Sequence, residues 1–127
     1  MKKLLVLLFS ILLSFNSYGE WEMKIENING DNYYIDLDTI KSHQGYVYYW
    51  ILTDKLKPSK DGDMSTKMYL EAECGKGRQK YLSFYFYSQP MGNGNYKTNQ
   101  FDNPKWVYPP PGSTSFEHLN YVCDYVD

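Results

Sequence analysis

The sequence predicts an α+β domain, in which five or six antiparallel strands form a sheet with one C-terminal helix packed on it. Two observations support this prediction. Polar and apolar residues alternate strictly along residues 67–74, KMYLEAEC, which is typical of a half-buried strand. Near the C-terminus, in SFEHLNYVCDYV, the apolar residues instead recur at helical spacing. The helix is therefore expected to pack its apolar side on the sheet.

The N-terminal segment, residues 1–19, has the pattern of a secretory signal peptide. A lysine pair precedes an apolar run of 12 residues, and small residues at Ser17 and Gly19 predict cleavage after Gly19. This run is too short to cross a membrane, which needs about 20 residues. No later apolar stretch approaches that length, so no membrane span is expected after cleavage. We expect an exported protein, periplasmic, at the cell surface or secreted, whose domain spans residues 20–127.

The predicted strands follow from alternation and from runs of β-branched and aromatic residues. The strongest signal is YVYYWIL, in which tyrosines favour one face that presents hydroxyl groups to solvent. Residues 38–41 are expected to form a short helical turn, residues 42–45 a turn, and residues 55–64 and 89–103 loops. The predicted strands are residues 21–27, 33–37, 46–52, 67–74, 78–88 and, as a last short one, 105–108.

The helix is predicted after three consecutive prolines, residues 109–111, which cannot form a central strand. Thr114 followed by Glu117 fits a capping box. His118 is expected at the rim of the apolar side, as a histidine with satisfied hydrogen bonds. The apolar side consists of Phe116, Leu119, Val122, Cys123 and Val126.

The two cysteines, Cys74 and Cys123, are expected to form one disulfide. Both lie on predicted core-facing positions, and an exported chain meets an oxidising environment. Two separate buried thiols are the alternative. The bond would close a loop of about 50 residues and stabilise the domain by about 4 kcal/mol.

Charge argues against nucleic acid as the partner. Without residues 1–19 the chain has 11 basic and 15 acidic residues, a net charge of −4, and Arg78 is its only arginine. Lysines are locally enriched only around the loop before residues 67–74. Such lysines are usually just solvated, but they are the candidates for contact with an acidic partner: Lys55, Lys57, Lys60 and Lys67.

Residues suited to catalysis or metal binding are sparse. His43 lies in a predicted exposed turn, and a disulfide leaves no thiol nucleophile. Asp36 and Asp38 are spaced like paired glycosidase carboxylates or calcium ligands, but an ordinary charge pair at a strand end explains them better. We therefore expect no enzyme activity, no metal and no cofactor.

Tyrosine is unusually frequent, and 13 of the 14 tyrosines follow Gly19. In residues 78–88 the alternation places Phe84 and Phe86 on one face with Leu82. Tyr81, Tyr85 and Tyr87 fall on the other face with Ser83. Interfaces favour tyrosine because it buries a wide area and keeps one polar group. Two interpretations stay open: a surface for a partner, or rings that cover a sheet face beneath loops.

Several short segments, in their order and spacing, resemble the surface-adhesin protein E family. They are Glu20 with Trp21, NYYIDLDTI, YVYYWIL, EAEC followed by Arg78, Trp106, the Pro-Pro-Pro-Gly-Ser run and the final cysteine helix. The resemblance implies a helix tied by the disulfide to the concave face of the sheet. It also implies adhesion to host extracellular-matrix proteins such as vitronectin and laminin, with residues 55–67 as the basic binding segment.

These features predict a non-enzymatic, exported binding domain. Surface adhesion, through a host extracellular protein or a cell-surface component, is the leading hypothesis. The alternative is a periplasmic accessory protein or inhibitor that binds a component of the cell envelope.

Overall fold

The structure, a computed structural model, describes residues 21–26 and 29–127. The predicted signal peptide and its cleavage after Gly19 lie outside the described residues, so both stay predictions. Within the described ranges no helix has the length and apolar character that crossing a membrane requires.

Antiparallel pairing joins all the strands of the described chain into one seven-stranded sheet, with the order β1-β2-β4-β5-β6-β7 and β3 paired to β4. The strands are β1 (Trp21–Glu26), β2 (Asn32–Asp36), β3 (Lys41–His43), β4 (Tyr46–Asp54), β5 (Ser65–Glu73), β6 (Arg78–Gln89) and β7 (Asn93–Gln100). The predicted antiparallel sheet is therefore confirmed, with strands β3 and β7 in addition to those expected.

Strand β7 was expected to be a loop because its sequence, NGNYKTNQ, shows no apolar alternation. All eight of its residues are exposed, and the strand pairs through its backbone with β6 at the edge of the sheet. The short strand expected over residues 105–108 is reduced to one bridge. Gln79 and Val107 exchange two backbone hydrogen bonds there, of 2.9 and 2.8 Å.

A β-bulge at Leu82 changes the facing of β6. Tyr69 on β5 lies opposite Ser83, but its neighbour Leu70 lies opposite Tyr81, so Leu82 is an extra residue without a partner in the register. Because of this extra residue, the β6 side chains that precede Leu82 point to the opposite face from the one that uninterrupted alternation predicts. Tyr81 therefore packs against the core, whereas uninterrupted alternation predicted it on the opposite face with the other tyrosines.

Helix α1 (Thr114–Val126) packs on one side of the sheet, which we call the inner face. Its N-cap is Ser113, whose hydroxyl accepts a hydrogen bond of 3.2 Å from the backbone of Phe116. The capping register thus begins one residue earlier than the predicted Thr114. Residues His118, Leu119 and Val122 are buried against the sheet.

The predicted disulfide between Cys74 and Cys123 is confirmed, with a Cα–Cα distance of 5.8 Å. Cys74 begins the 3₁₀ turn Cys74–Lys76 directly after β5, and Cys123 lies in the second half of α1. The bond therefore fastens the helix to the end of a central strand.

The core lies between α1 and the inner face. Residues 67–74 point as the alternation predicted: Leu70 and Ala72 are buried, and Met68 and Cys74 pack against the core. Tyr49 is also fully buried there, where its hydroxyl donates a 3.0 Å hydrogen bond to Gln79. The buried core members are Ile35, Val47, Tyr49, Ile51, Leu70, Ala72, Leu119 and Val122.

Candidate binding surface

The side of the sheet opposite α1, which we call the open face, carries a continuous series of aromatic rings. Alternation along β4, β5 and β6 directs these rings away from the core, because the inner positions are occupied by the apolar residues that α1 covers. We call the series the aromatic row. In spatial order it consists of Tyr48, Tyr69, Trp50, Tyr85, Tyr96 and Tyr87.

The rings of the aromatic row contact one another from β4 to β7. Successive ring centroids are 6.2, 4.7, 5.8, 5.6 and 5.5 Å apart, within the range of favourable aromatic pairs. Each ring is thereby held in place by its neighbours. Tyr96 is the most exposed member, at 59 %.

Lys67 lies at one end of the row. Its ammonium nitrogen is 5.2 Å from the ring centroid of Tyr87 and 5.7 Å from that of Trp21, so it makes cation–π contacts with both. These three residues line a cleft of about 320 Å³ together with Trp50 and Tyr85. Asp36 lines the same cleft, so this part of the open face combines aromatic rings with one basic and one acidic side chain.

Three tyrosine hydroxyls of the row, those of Tyr48, Tyr69 and Tyr87, stay protonated at neutral pH. Burial raises the pKa of Tyr48, Tyr69 and Tyr87, and the negative charge of Glu71 adds to this effect for the first two. Protonated phenols donate hydrogen bonds. The row can therefore offer a partner both ring surface and hydrogen-bond donors.

A second aromatic cluster surrounds Trp106, near the start of β4. Tyr46 stacks with Trp106 at a centroid distance of 6.0 Å, and the cationic groups of Arg78 and Lys80 each lie 4.2 Å from the indole. Glu73 forms a 2.7 Å salt bridge with Arg78. These contacts hold the segment after β7 against the sheet.

The four candidate lysines do not form one patch. Lys67 points to the open face, whereas Lys55 lines a cleft on the inner face. Lys57 and Lys60 are exposed in the connection between β4 and β5. The four lysines are close in the sequence but are separated in the structure, because Lys67 on β5 and Lys55 lie on opposite faces of the sheet.

The aspartate pair serves a structural role. Asp36 is buried, and its carboxylate accepts a 3.1 Å hydrogen bond from the backbone of Asp38, which caps the 3₁₀ turn Leu37–Thr39. In the part of the chain that the structure describes, no group of three or more His, Cys, Asp or Glu side chains is arranged to hold a metal ion.

The two histidines differ in their surroundings. His43 is exposed at the end of β3, close to where the sequence placed it. His118 was expected at the rim of the helix with its hydrogen bonds satisfied, but it is only 1 % exposed, and its Nε2 atom has no hydrogen-bond partner among the described residues. Burial lowers its pKa to about 4, so the ring is neutral at physiological pH.

Sequence reasoning missed several parts of this surface. Tyr96 lay in a predicted loop, and Lys80 and Trp106 were not predicted to share a site. The run of tyrosines was the available signal, but only the strand register shows which rings are neighbours.

A model of the family described as surface-adhesin protein E matches residues 21–124. The chain belongs to this family.

Solved structures agree with that assignment at the level of the fold. A crystal form of Haemophilus influenzae protein E is 18 % identical, covers 84 % of this chain and 91 % of its own, and has a TM-score of 0.64. Protein E from non-typeable Haemophilus influenzae is 16 % identical, with coverages of 83 % and 76 % and a TM-score of 0.59. No curated protein matches the sequence at a significant level. This member of the surface-adhesin protein E family therefore shares a fold with structures from which its sequence has diverged widely.

Proposed function

We propose that this protein is an exported, non-enzymatic adhesin that binds an extracellular protein on its open face. The observation that carries the proposal is the aromatic row, a contiguous series of partly exposed rings on the side of the sheet that the helix leaves uncovered. Membership of a surface-adhesin family supports the same function.

The chemistry of the row suits a protein partner. Tyrosine and tryptophan dominate the energetics of protein interfaces because their rigid rings bury a wide area with little loss of conformational entropy. Lys67 adds one positive charge beside the rings, and Lys57 and Lys60 project from the neighbouring loop. Positive charges around an aromatic centre would accelerate association with an acidic surface.

A host extracellular-matrix glycoprotein is the partner class that we propose. The test is to measure retention of the mature domain, residues 20–127, on immobilised matrix glycoproteins by surface plasmon resonance at increasing salt. Binding is expected to weaken as salt screens the lysines. If no immobilised glycoprotein retains the domain at low salt, the proposal is wrong.

A matched pair of tyrosine variants locates the binding surface. Tyr96→Ala removes a ring of the aromatic row that is 59 % exposed, and Tyr125→Ala removes a ring of α1 that is 52 % exposed. Tyr96→Ala is expected to raise the dissociation constant by about tenfold, as for a central aromatic contact, and Tyr125→Ala to leave it unchanged. Equal effects of the two substitutions would exclude the open face as the site.

The cellular location separates adhesion from the alternative of a periplasmic accessory protein or inhibitor. Protease treatment of intact cells is expected to cleave this protein, while a periplasmic marker stays whole. Protection of the protein until the outer membrane is opened would instead favour the periplasmic role.

A further inference from the structure

Helix α1 covers only part of the inner face. Beneath the helix, Tyr49, Ile51 and Leu70 are at most 3 % exposed. Further along β6, beyond the N-terminus of α1, Phe84 and Phe86 point to the same side but remain partly exposed. A contiguous apolar patch that is not covered marks a candidate binding site, and this part of the inner face forms such a patch.

Two adjoining clefts occupy the uncovered part. The first, of about 330 Å³, lies between the start of α1 at Ser115 and the residues Met68 and Phe86. The second, of about 370 Å³, extends to Phe101. Phe84 lines both, and its ring lies 6.0 Å from that of Phe86 and 5.3 Å from that of Phe101. We call the two clefts together the groove, and its size is that of a small-molecule site.

Polar groups are distributed unequally between the two clefts. The first contains the hydroxyls of Thr53 and Thr66 and the side chain of Lys55. The second is lined mainly by apolar groups, including Phe101 and Val107, which are 39 % and 43 % exposed, and its polar lining includes Asn103 and Lys105. The first cleft is therefore the more polar end of the groove and the second the more apolar end, which suits an amphiphile.

The charges in the groove have one sign. Lys55 lines the first cleft and Lys105 the second, and among the described residues no acidic side chain lines either. An amphiphile with an anionic head group would complement this charge, whereas a cationic one would be repelled.

We infer that the groove binds the anion of a long-chain fatty acid. The carboxylate pairs with the ammonium group of Lys55 near Thr53 and Thr66, and the acyl chain crosses Phe84 towards Phe101. From β4 to the line of β7 the groove spans three strand spacings, roughly 14 Å, which suits a long acyl chain better than a short acid. This site lies on the opposite side of the sheet from the aromatic row and does not depend on the proposed adhesive function.

The fluorescent fatty acid dansyl-undecanoic acid provides a direct test. Its emission is expected to rise in a saturable way when the oxidised domain is added, at concentrations below those at which fatty acids form micelles. Palmitate is expected to displace it. Hexadecanol, which has the same chain length but no carboxylate, is expected to displace it at least about tenfold less well, because it lacks the charge-assisted hydrogen bond to Lys55.

Substitutions at the two ends of the groove test its orientation. Lys55→Glu is expected to weaken palmitate binding by about tenfold or more, because repulsion replaces a charge-assisted hydrogen bond. Lys57→Glu makes the same change in charge on the same loop but lies outside the groove, and it is expected to leave binding unchanged. Phe101→Asp is expected to abolish binding by placing a charge at the apolar end.

Each other outcome would overturn the inference. These are no saturable fluorescence change, equal displacement by palmitate and hexadecanol, and equal effects of Lys55→Glu and Lys57→Glu. Displacement of the probe by an acidic peptide but not by palmitate would assign the groove to a peptide instead. Circular dichroism establishes that each variant is folded, and Lys55→Glu, a change at a partly exposed loop position, keeps the test valid if Phe101→Asp does not fold.

Discussion

His118 is a basic group held in the core, where its ring centroid lies 5.9 Å from that of Tyr33. Charging the ring there is unfavourable because the helix and sheet exclude water from it. The consequence for stability follows from proton linkage. Between its ordinary pKa of 6.5 and its lowered pKa of about 4, the unfolded chain binds a proton that the folded chain does not.

His118 is therefore expected to make the protein less stable in acid. Above the ordinary pKa of His118 the neutral ring does not oppose folding. As the pH falls from 6.5 towards about 4, the unfolded state gains stability by binding a proton, so the free energy of unfolding decreases. The wild-type protein is expected to lose unfolding free energy when the pH is lowered from neutral to about 4.5. In His118→Leu this loss is expected to be smaller by about 2 kcal/mol. Urea denaturation of the wild-type protein and His118→Leu at both pH values measures this difference.

His43→Leu is the control for that experiment. This histidine is exposed at the end of β3, so its replacement should leave the pH dependence of stability as it is in the wild-type protein. The same pH dependence in His118→Leu as in the wild-type protein would mean that His118 does not carry the effect.

Tyr81 shows what residue patterns cannot predict. Alternation placed Tyr85 and Tyr87 correctly on the open face, because both follow the bulge. Tyr81 precedes it, and no feature of RQKYLSFYFYS indicates where the extra residue lies. Its hydroxyl instead accepts a 3.2 Å hydrogen bond from Gln79 and lies 3.4 Å from that of Ser115, which adds a polar contact between β6 and α1.

At the scale of elements, the start of α1 depends on one side chain. The Ser113 hydroxyl accepts from the backbone of Phe116 and donates a 2.7 Å hydrogen bond to the carbonyl of Pro110. Ser113→Ala is expected to lower the unfolding free energy by about 1 kcal/mol. Thr114→Ala, at the first helical position, is expected to have less than half that effect. If urea denaturation ranks the two variants the other way, the capping register is the one that the sequence first suggested.

The disulfide is the strongest single constraint on the helix. Its cysteines are 49 residues apart, so the chain-entropy estimate of its stabilisation is about 4 kcal/mol. The double variant Cys74→Ser, Cys123→Ser is expected to lose about that much and to melt well below the wild-type protein. A reducing agent should lower the melting temperature of the wild-type protein and not that of the variant. An unchanged melting temperature in the variant would show that the bond does not stabilise the fold.

The elements differ in how readily the sequence predicts them. Strands β4 and β5 were predicted because their inner positions must be apolar to form the core. Strand β7 was not predicted, since its residues are exposed on both faces and its sequence therefore shows no apolar alternation. The groove beyond α1 was also missed, because it depends on how much of the sheet one helix covers, and that is not a local property of the sequence.

At the scale of the whole molecule, the sheet separates two surfaces of different chemistry. The open face presents the aromatic row, and the inner face presents the groove beyond α1. Sites without shared contacts have additive effects. In the double variant Tyr96→Ala, Phe101→Asp, glycoprotein retention is therefore expected to fall as much as in Tyr96→Ala alone. Palmitate binding is expected to fall as much as in Phe101→Asp alone. Surface plasmon resonance and probe displacement on the same preparations measure both, and a large effect of either change on the other activity would mean that the surfaces are coupled.

The position of α1 after every strand also dictates an order of assembly during export. The sheet can pair as its strands leave the translocation channel, but its inner face stays bare until the 13 residues of the helix follow. Cys74 reaches the oxidising compartment 49 residues before its partner. During that interval the growing chain exposes both an unpaired thiol and an unprotected core, which favours aggregation until the helix arrives.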